Sequence, residues 1–257
     1  MVTISSNRIK SLIPHYSEMS DFSQKVDFVE SEVPFFEIHS KFNIKISKKK
    51  LLILNGTQDR LNGEDTYIGI QRHRITNRNH HKNVLFLGDL KANPSLIEIY
   101  SRDTTEIFID LNVLKKSEIP NCKDAKPSGL TSEEFAKLAR YLGFANSIEK
   151  ITISNSDQSI LSSESVLSII AEFLWYFIEG TTFKVEENPL NEEYASKHHL
   201  QHSQFPESLI LIKSRKSDRC WLKKEDFEPL IPCTAQEYTE LKNDEIPSRL
   251  WQLFMPL

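Results

Sequence analysis

Four short apolar runs, each closed by a polar or turn-forming residue, constrain the fold of this chain more than any other feature. Continuous apolar runs of this length are typical of strands that are buried on both faces of a parallel sheet. The four runs are Leu51–Leu54, Val84–Leu87, Ile107–Ile109 and Ile151–Ile153. We therefore predict that they are the central strands of this protein.

Amphipathic helices are predicted between and after these runs. Residues 131–142 carry apolar side chains on one helical face, and Thr131 with Glu134 has the spacing of a capping box. Residues 163–179 form a longer amphipathic pattern that ends before Gly180. Strands that alternate with helices predict the α/β class, as a three-layer α/β/α sandwich with a mainly parallel sheet. Further elements are predicted as a helix at Met19–Val29 and strands at Phe35–Ile38, Phe42–Ile46 and Leu209–Ile212.

Composition narrows the class of partner and the compartment. The net charge of −4 does not favour a uniformly basic surface for nucleic acid or anionic lipid. The longest apolar stretch is too short to span a bilayer. Three cysteines lie far apart without a C-x-x-C pair, which disfavours zinc ribbons and disulfide frameworks and indicates a reducing compartment. We expect a cytoplasmic protein with no nucleic-acid and no membrane partner.

The segment that begins at the third apolar run carries a known motif layout. The run ends in Asp110, Asn112 follows two positions later, and Gly129-Leu130-Thr131 opens the next helix. This layout resembles the last metal-binding segment of the ureohydrolase family (arginase, agmatinase, formimidoylglutamase). In that family an Asp-x-Asp at the end of a buried strand binds two manganese ions, and Gly-Leu-Thr follows.

Three other segments are similar to the same family. Residues 51–59 resemble the strand and turn that carry the family's Gly-Gly-Asp-His, and residues 128–153 resemble the helix and strand after Asp-x-Asp. Residues 171–254 are similar to the tail of a bacterial formimidoylglutamase-like branch. The resemblance implies an arginase-like fold over residues 50–257, while residues 1–49 have no counterpart.

Several metal-binding positions depart from the family pattern. The resemblance places the metal-binding His on Gln58, the second Asp of Asp-x-Asp on Asn112, and the active-site Glu on Asn155, while Asp110 is kept. A hard divalent cation prefers anionic oxygen, which a neutral amide does not supply. The central Asp-x-His-x-Asp motif has no match. The stretch from Asp59 to Asp110 has room for one strand–helix–strand unit, which indicates that the family core is shortened by deletion.

Two functions follow from this pattern. The chain is predicted to be a non-catalytic ureohydrolase homologue, a binding or structural protein with no cofactor, whose partner is an unknown protein or a second copy. The alternative is a metal-dependent hydrolase of C–N bonds in linear amidines (formiminoglutamate, agmatine or arginine) that uses manganese. A truncated product without function is a third reading.

Other candidate residues have ordinary structural interpretations. Arg215, Lys216, Arg219 and Trp221 form a basic patch with an aromatic, which could bind a partner's carboxylates or could pack the tail. Cys122 is expected to be a plain loop cysteine. For the other candidate histidines and carboxylates we favour solvated or structural roles. These candidates are His80, His81, His198, His199, His202, Asp59, Glu64 and Asp65.

The predicted domain layout has three parts. Residues 1–49 are unassigned, and residues 50–180 form the arginase-like α/β core. Residues 181–257 comprise a polar connector, a last strand and a C-terminal appendage packed on the core, with Trp251 among the aromatics expected to be buried.

Overall fold

A computed structural model describes residues 26–29, 36–40, 51–54, 65–75, 83–185, 187–203, 208–224 and 230–254. The chain divides into two compact units, which are residues 1–184 and residues 185–257. No helix in the described ranges is both long and apolar enough to cross a membrane.

The first unit contains a seven-stranded sheet in the order β1-β2-β7-β6-β3-β4-β5. Its strands are β1 (Val26–Val29), β2 (Phe36–Ser40), β3 (Leu51–Leu54), β4 (Thr66–Ile70), β5 (Val84–Phe86), β6 (Glu106–Asp110) and β7 (Lys150–Ser154). The pairs from β7 through β6, β3 and β4 to β5 are all parallel, and β1 and β2 add an antiparallel edge. The predicted α/β class with a mainly parallel sheet is confirmed.

The described residues of this unit form four α-helices: α1 (Leu87–Ala92), α2 (Leu96–Ser101), α3 (Ser132–Gly143) and α4 (Glu164–Thr181). Helix α3 begins with the predicted capping box, in which Thr131 accepts from Glu134 N–H and the Glu134 carboxylate accepts from Thr131 N–H. Buried side chains of all four helices join one face of the sheet in a single hydrophobic cluster. On the sheet this face is formed by Leu54, Ile68, Ile107, Ile109, Ile151 and Ile153.

Strand β4 was not predicted from the sequence. It shows that the stretch before Asp110 contains more strands than its length was taken to allow. Two strands, β4 and β5, separate β3 from β6 along the chain, where room for only one strand–helix–strand unit was predicted, although β3 and β6 are neighbours in the sheet. The segment Thr66–Ile70 contains Gly69, whose φ is +83° and beside which the register with β5 shifts. A polar start and an internal glycine interrupt the apolar run on which strand prediction depends.

Other element predictions also change. Val26–Val29 is a strand, so the predicted helix at Met19–Val29 is wrong there, and its remaining residues lie outside the described ranges, as does Phe42–Ile46. The helices predicted over residues 131–142 and 163–179 extend further, since Gly143 is the last residue of α3 and Gly180 is an interior residue of α4. A Cβ at Gly143 would lie 2.8 Å from Gly180 Cα, so both glycines permit close approach of the two helices.

The second unit contains a separate antiparallel sheet in the order β11-β10-β9-β8. Its elements are β8 (Ala195–Leu200), β9 (Leu209–Ser214), β10 (Cys220–Lys224), β11 (Ile231–Cys233), α5 (Ala235–Lys242) and α6 (Ser248–Phe254). The predicted strand at Leu209–Ile212 is confirmed, although the supposed polar connector contains β8. Trp251 is 41% exposed, so its predicted burial is wrong, while its neighbour Leu250 is fully buried.

Candidate functional site

Three of the predicted site residues meet at the carboxyl end of two parallel strands. Asp110 ends β6, Asn112 lies in the turn that follows, and Asn155 comes directly after β7. Strands β6 and β7 are neighbours, with Asp110 opposite Ser154. The open α/β sheet places such strand ends at one edge, which is where ligands bind in folds of this class. Gln58 lies outside the described residues.

A chain of hydrogen bonds joins the three side chains. The Asn112 backbone N–H donates to Asp110 Oδ1 over 2.9 Å, and Asn112 Nδ2 donates to Asp110 Oδ2 over 3.3 Å. Asn155 Nδ2 in turn donates to Asn112 Oδ1 over 3.3 Å. Asn112 and Asn155 are 3% and 7% exposed, so these amides depend on one another for partners.

Cys122 is a fourth member of this network, which the sequence reasoning did not predict. Its Sγ lies 3.1 Å from Asn112 Oδ1 and 3.6 Å from Asn155 Oδ1, and the side chain is wholly buried. The thiol therefore donates to the side-chain oxygens of the two asparagines, which is a more specific role than that of a plain loop cysteine. The signal in the sequence was its place in the loop after Asp110, but that position alone does not indicate which side chains it meets.

The Asp110 carboxyl is in an environment that favours its protonated form. Burial is the largest cause and raises the pKa of Asp110 above its usual value. The two hydrogen bonds from Asn112 oppose this increase, and repulsion from the Asp124 carboxylate adds to it. Asp124 accepts a hydrogen bond from Ser156 Oγ over 2.8 Å, so a second carboxylate is fixed near the first.

Tight backbone contacts hold the loop between β6 and α3 in place. Leu130 N–H donates to Val113 O, and a Cβ on Gly129 would lie 2.5 Å from the Lys115 nitrogen, so only glycine fits at this crossing. Gln71, at the end of the missed strand β4, donates from Nε2 to Ser128 O over 2.7 Å. The loop that carries Cys122 is therefore tied to the turn after β6 and to β4.

The donor set of this network does not fit a pair of manganese ions. Asp110 supplies the single carboxylate of the hydrogen-bonded chain, and both of its oxygens accept from Asn112. The Asn112 carbonyl is already an acceptor for Cys122 and Asn155. Hard divalent cations need several anionic oxygens. In the described ranges, no group of three or more His, Cys, Asp and Glu side chains is placed to hold a metal ion.

The other candidate histidines and carboxylates that the structure describes have ordinary environments. His198 and His199 lie exposed on strand β8, so they are not on a helix, and adjacent strand residues face opposite ways. His202 is buried, with its Nδ1 3.3 Å from Asp244 Oδ1. His80, His81, Asp59 and Glu64 lie outside the described residues, and Asp65 precedes strand β4.

The four residues of the basic patch occupy different environments in the second unit. Trp221 is 6% exposed and packs with Ala195 and Ile212, while the Arg219 guanidinium pairs with Glu187 over 3.0 Å. Arg215 and Lys216 are exposed, and Lys216 Nζ lies 4.3 Å from the centre of the Tyr194 ring. A partner would therefore meet Arg215 and Lys216 first.

Comparison with known proteins gives matches to solved structures. No protein-family model matches the chain, and no curated protein matches it. Formimidoylglutamase from Bacillus subtilis is 15% identical with a TM-score of 0.44, covering 54% of this chain and 55% of that one. Formiminoglutamase from Trypanosoma cruzi is 12% identical with a TM-score of 0.43, covering 53% of this chain and 56% of that one.

A third similar structure has a different name. Proclavaminate amidino hydrolase from Streptomyces clavuligerus is 16% identical with a TM-score of 0.38, covering 51% of this chain and 56% of that one. The likeness spans little more than half of each of these three chains.

Proposed function

We propose that this chain is a non-catalytic homologue of the ureohydrolase family that keeps part of the α/β scaffold and acts as a binding or structural protein. The observation that supports this most is the closed network of Asp110, Asn112, Asn155 and Cys122. In it, two amides and a thiol satisfy each other where a metalloenzyme of this family needs anionic ligands.

The physical argument concerns the nucleophile. A bound divalent metal lowers the pKa of its water to about 7, and this produces a strong nucleophile at neutral pH. Water without a metal keeps its bulk acidity and attacks an amidine carbon poorly. In the described residues, no third His, Cys, Asp or Glu side chain joins Asp110 and Asp124 to hold such a metal, so the residues at this edge are suited to holding the loop in place.

One observation favours the alternative, a metal-dependent amidine hydrolase. Asp110 remains a carboxylate that is only partly buried, at the strand end where the resemblance implies a metal ligand. A hydrolase would need its other ligands from parts of the chain beyond this network.

An activity assay separates the two. The purified protein with added manganese is expected to release no urea or formamide from arginine, agmatine or formiminoglutamate. Turnover that is lost in Asp110→Ala and kept in Asp89→Ala would contradict the proposal. Asp89 is a suitable control because it is an exposed carboxylate of the same unit, on α1.

The proposed partner is a protein, or a second copy of the chain, that meets the exposed Arg215 and Lys216. A pull-down from the native cell tests this with wild type and the double variant Arg215→Ala, Lys216→Ala. We expect a partner that is captured by the wild type and lost by the variant. If the wild type and the variant capture the partner equally, Arg215 and Lys216 are not part of the interface.

A further inference from the structure

Two cysteines that are 13 positions apart in sequence lie opposite each other in the second unit. Cys220 of β10 pairs in register with Cys233 of β11, and these strands are antiparallel. Directly opposite residues in such a pair point to the same face, with Cα atoms about 4.5–5.5 Å apart. A disulfide needs a Cα separation of about 4.4–6.8 Å, so this register meets the requirement.

Both side chains are reduced thiols that share one apolar environment. Cys220 is 1% exposed and Cys233 is 0% exposed, and both belong to the cluster formed by Leu211, Leu222 and Leu241. Residues opposed in register in this way have the approximate Cα separation that a disulfide requires. The strand pairing therefore pre-positions the two sulfurs.

We propose that Cys220 and Cys233 are a redox-responsive dithiol, oxidised to a cross-strand disulfide by low-molecular-weight disulfides of the glutathione type. In the first step the Cys220 thiolate attacks one sulfur of the oxidant, the oxidant's S–S bond breaks, and one thiol leaves. In the second step the Cys233 thiolate attacks Cys220 Sγ of the mixed disulfide and releases the second thiol. Two protein thiols are oxidised and one external disulfide is reduced to two thiols.

The surroundings of the pair determine when this chemistry occurs. Lys213 of β9 lies opposite Cys220 on its other side, and its ammonium pairs with Asp218 over 2.9 Å. Apolar surroundings disfavour a thiolate, so Cys220 attacks the oxidant when the strand pair opens and admits water. Tyr238 of α5 packs against the apolar cluster that contains both cysteines.

Access for the oxidant is provided by the edge of the sheet. Within the described residues, β11 pairs with β10 alone, through three register pairs. Strand ends and short edge strands open more readily than central strands. A brief separation of β11 would expose both sulfurs to a small disulfide, and closure of the strand would bring Cys233 onto the mixed disulfide.

The disulfide would fix more than two strands. Thr234, the N-cap of α5, follows Cys233 directly, and Arg249 of α6 donates to Pro232 O over 2.8 Å. A covalent bond at Cys233 would therefore anchor β11, the start of α5 and the contact from α6 to the centre of the sheet. Closing the loop between the cysteines also restricts the unfolded chain, which stabilises the folded state.

The test uses the full-length protein, equilibrated in oxidised and reduced glutathione, then alkylated under native conditions, digested and measured by mass spectrometry. We expect a peptide pair linked through Cys220 and Cys233, with Cys122 alkylated only after unfolding. The melting temperature of the second unit should rise by about 10 °C on oxidation. Dithiothreitol should reverse both changes.

Variants decide between this pair and other oxidation products. Cys220→Ser and Cys233→Ser should each abolish the link and the rise in melting temperature, whereas Cys122→Ser should leave both. The proposal is overturned if the folded wild type shows only a glutathione adduct on one cysteine, a link to Cys122, or no link until the protein is unfolded. The wild-type measurement decides the matter even if a serine variant fails to fold.

Discussion

At the scale of single residues, the environment of Asp110 has the clearest consequence. Burial opposes its charged form, and the hydrogen bonds from Asn112 offset this only in part, so its pKa in the folded protein lies above the usual value of 3.8. A carboxyl of this kind binds its proton more tightly in the folded than in the unfolded state. Its contribution to the free energy of unfolding is therefore lost as the pH rises through the folded pKa.

This gives a prediction for Asp110→Asn, which keeps the oxygen acceptor and removes the ionisation. The free energy of unfolding of the variant, minus that of the wild type, should become more positive as the pH rises from 3.8 through the raised pKa, and then level off. Urea unfolding at a series of pH values measures this difference, in which the other carboxyls largely cancel. A difference that stays constant, or that falls with pH, would contradict the assignment.

The same residues show how far sequence reasoning reached at the site. Asp110, Asn112 and Asn155 were identified because the resemblance to ureohydrolase motifs assigns site positions to them, and the structure brings these three side chains together. Cys122 and Gln71 were not identified as members of the site, because their contacts depend on how the loop between β6 and α3 folds back. Such contacts are set by backbone crossings such as that at Gly129, which residue spacing does not encode.

At the scale of secondary-structure elements, the contact between α3 and α4 depends on the absence of two side chains. A Cβ on Gly180 would lie 3.0 Å from Gly143 Cα and closer still to the Arg140 backbone carbonyl. Backbone atoms of a helix do not give way as a flexible side chain does. The sequence indicated two glycines near helix ends, but their role in packing became clear only once both helices were placed.

Gly180→Ala should accordingly destabilise the protein by about 1–3 kcal/mol through overpacking. Gly88→Ala is the matched control, because Gly88 lies in helix α1 and a Cβ there meets nothing within 4 Å. That change should stabilise by about 0.5–1 kcal/mol, as alanine is the better helix former. Thermal and urea unfolding of the two variants measure this; a Gly180→Ala variant as stable as Gly88→Ala would show that the helices separate freely.

Helix α6 gives a second prediction, because two neighbouring residues differ in burial. Leu250 is fully buried in the cluster of Leu211 and Leu241, whereas Trp251 is 41% exposed. Leu250→Ala should cost about 2–5 kcal/mol in the free energy of unfolding. Trp251→Ala should cost about 1 kcal/mol, since much of the ring already faces solvent. Chemical denaturation measures both losses. A larger loss for Trp251→Ala than for Leu250→Ala would show that the tryptophan belongs to the core.

At the scale of the whole molecule, the sequence predicted strands better than it predicted sheets. Apolar runs revealed β3, β5, β6, β7 and β9, because burial selects the same residues in either sheet type. The run at Leu209–Ile212 gave no sign that it belongs to a separate antiparallel sheet. Strand β8 was hidden because four of its six residues are exposed, so its sequence reads as a polar connector.

At the same scale, we propose that the chain keeps part of an α/β scaffold of the ureohydrolase type without a metal centre. The evidence lies at one edge of the sheet. There Asp110 is hydrogen-bonded to the Asn112 amide, and the side chains beyond it are the Asn155 amide and the Cys122 thiol. Activity assays depend on the choice of substrate, whereas metal content does not. Metal content is therefore the more direct test.

The decisive measurement is the manganese content of the purified protein after incubation with excess manganese and extensive dialysis, determined by elemental analysis. We predict a content far below one ion per chain, equal in the wild type and in Asp110→Asn. A content of about one or two ions per chain in the wild type, as a two-metal site would give, and its loss in Asp110→Asn would contradict the account.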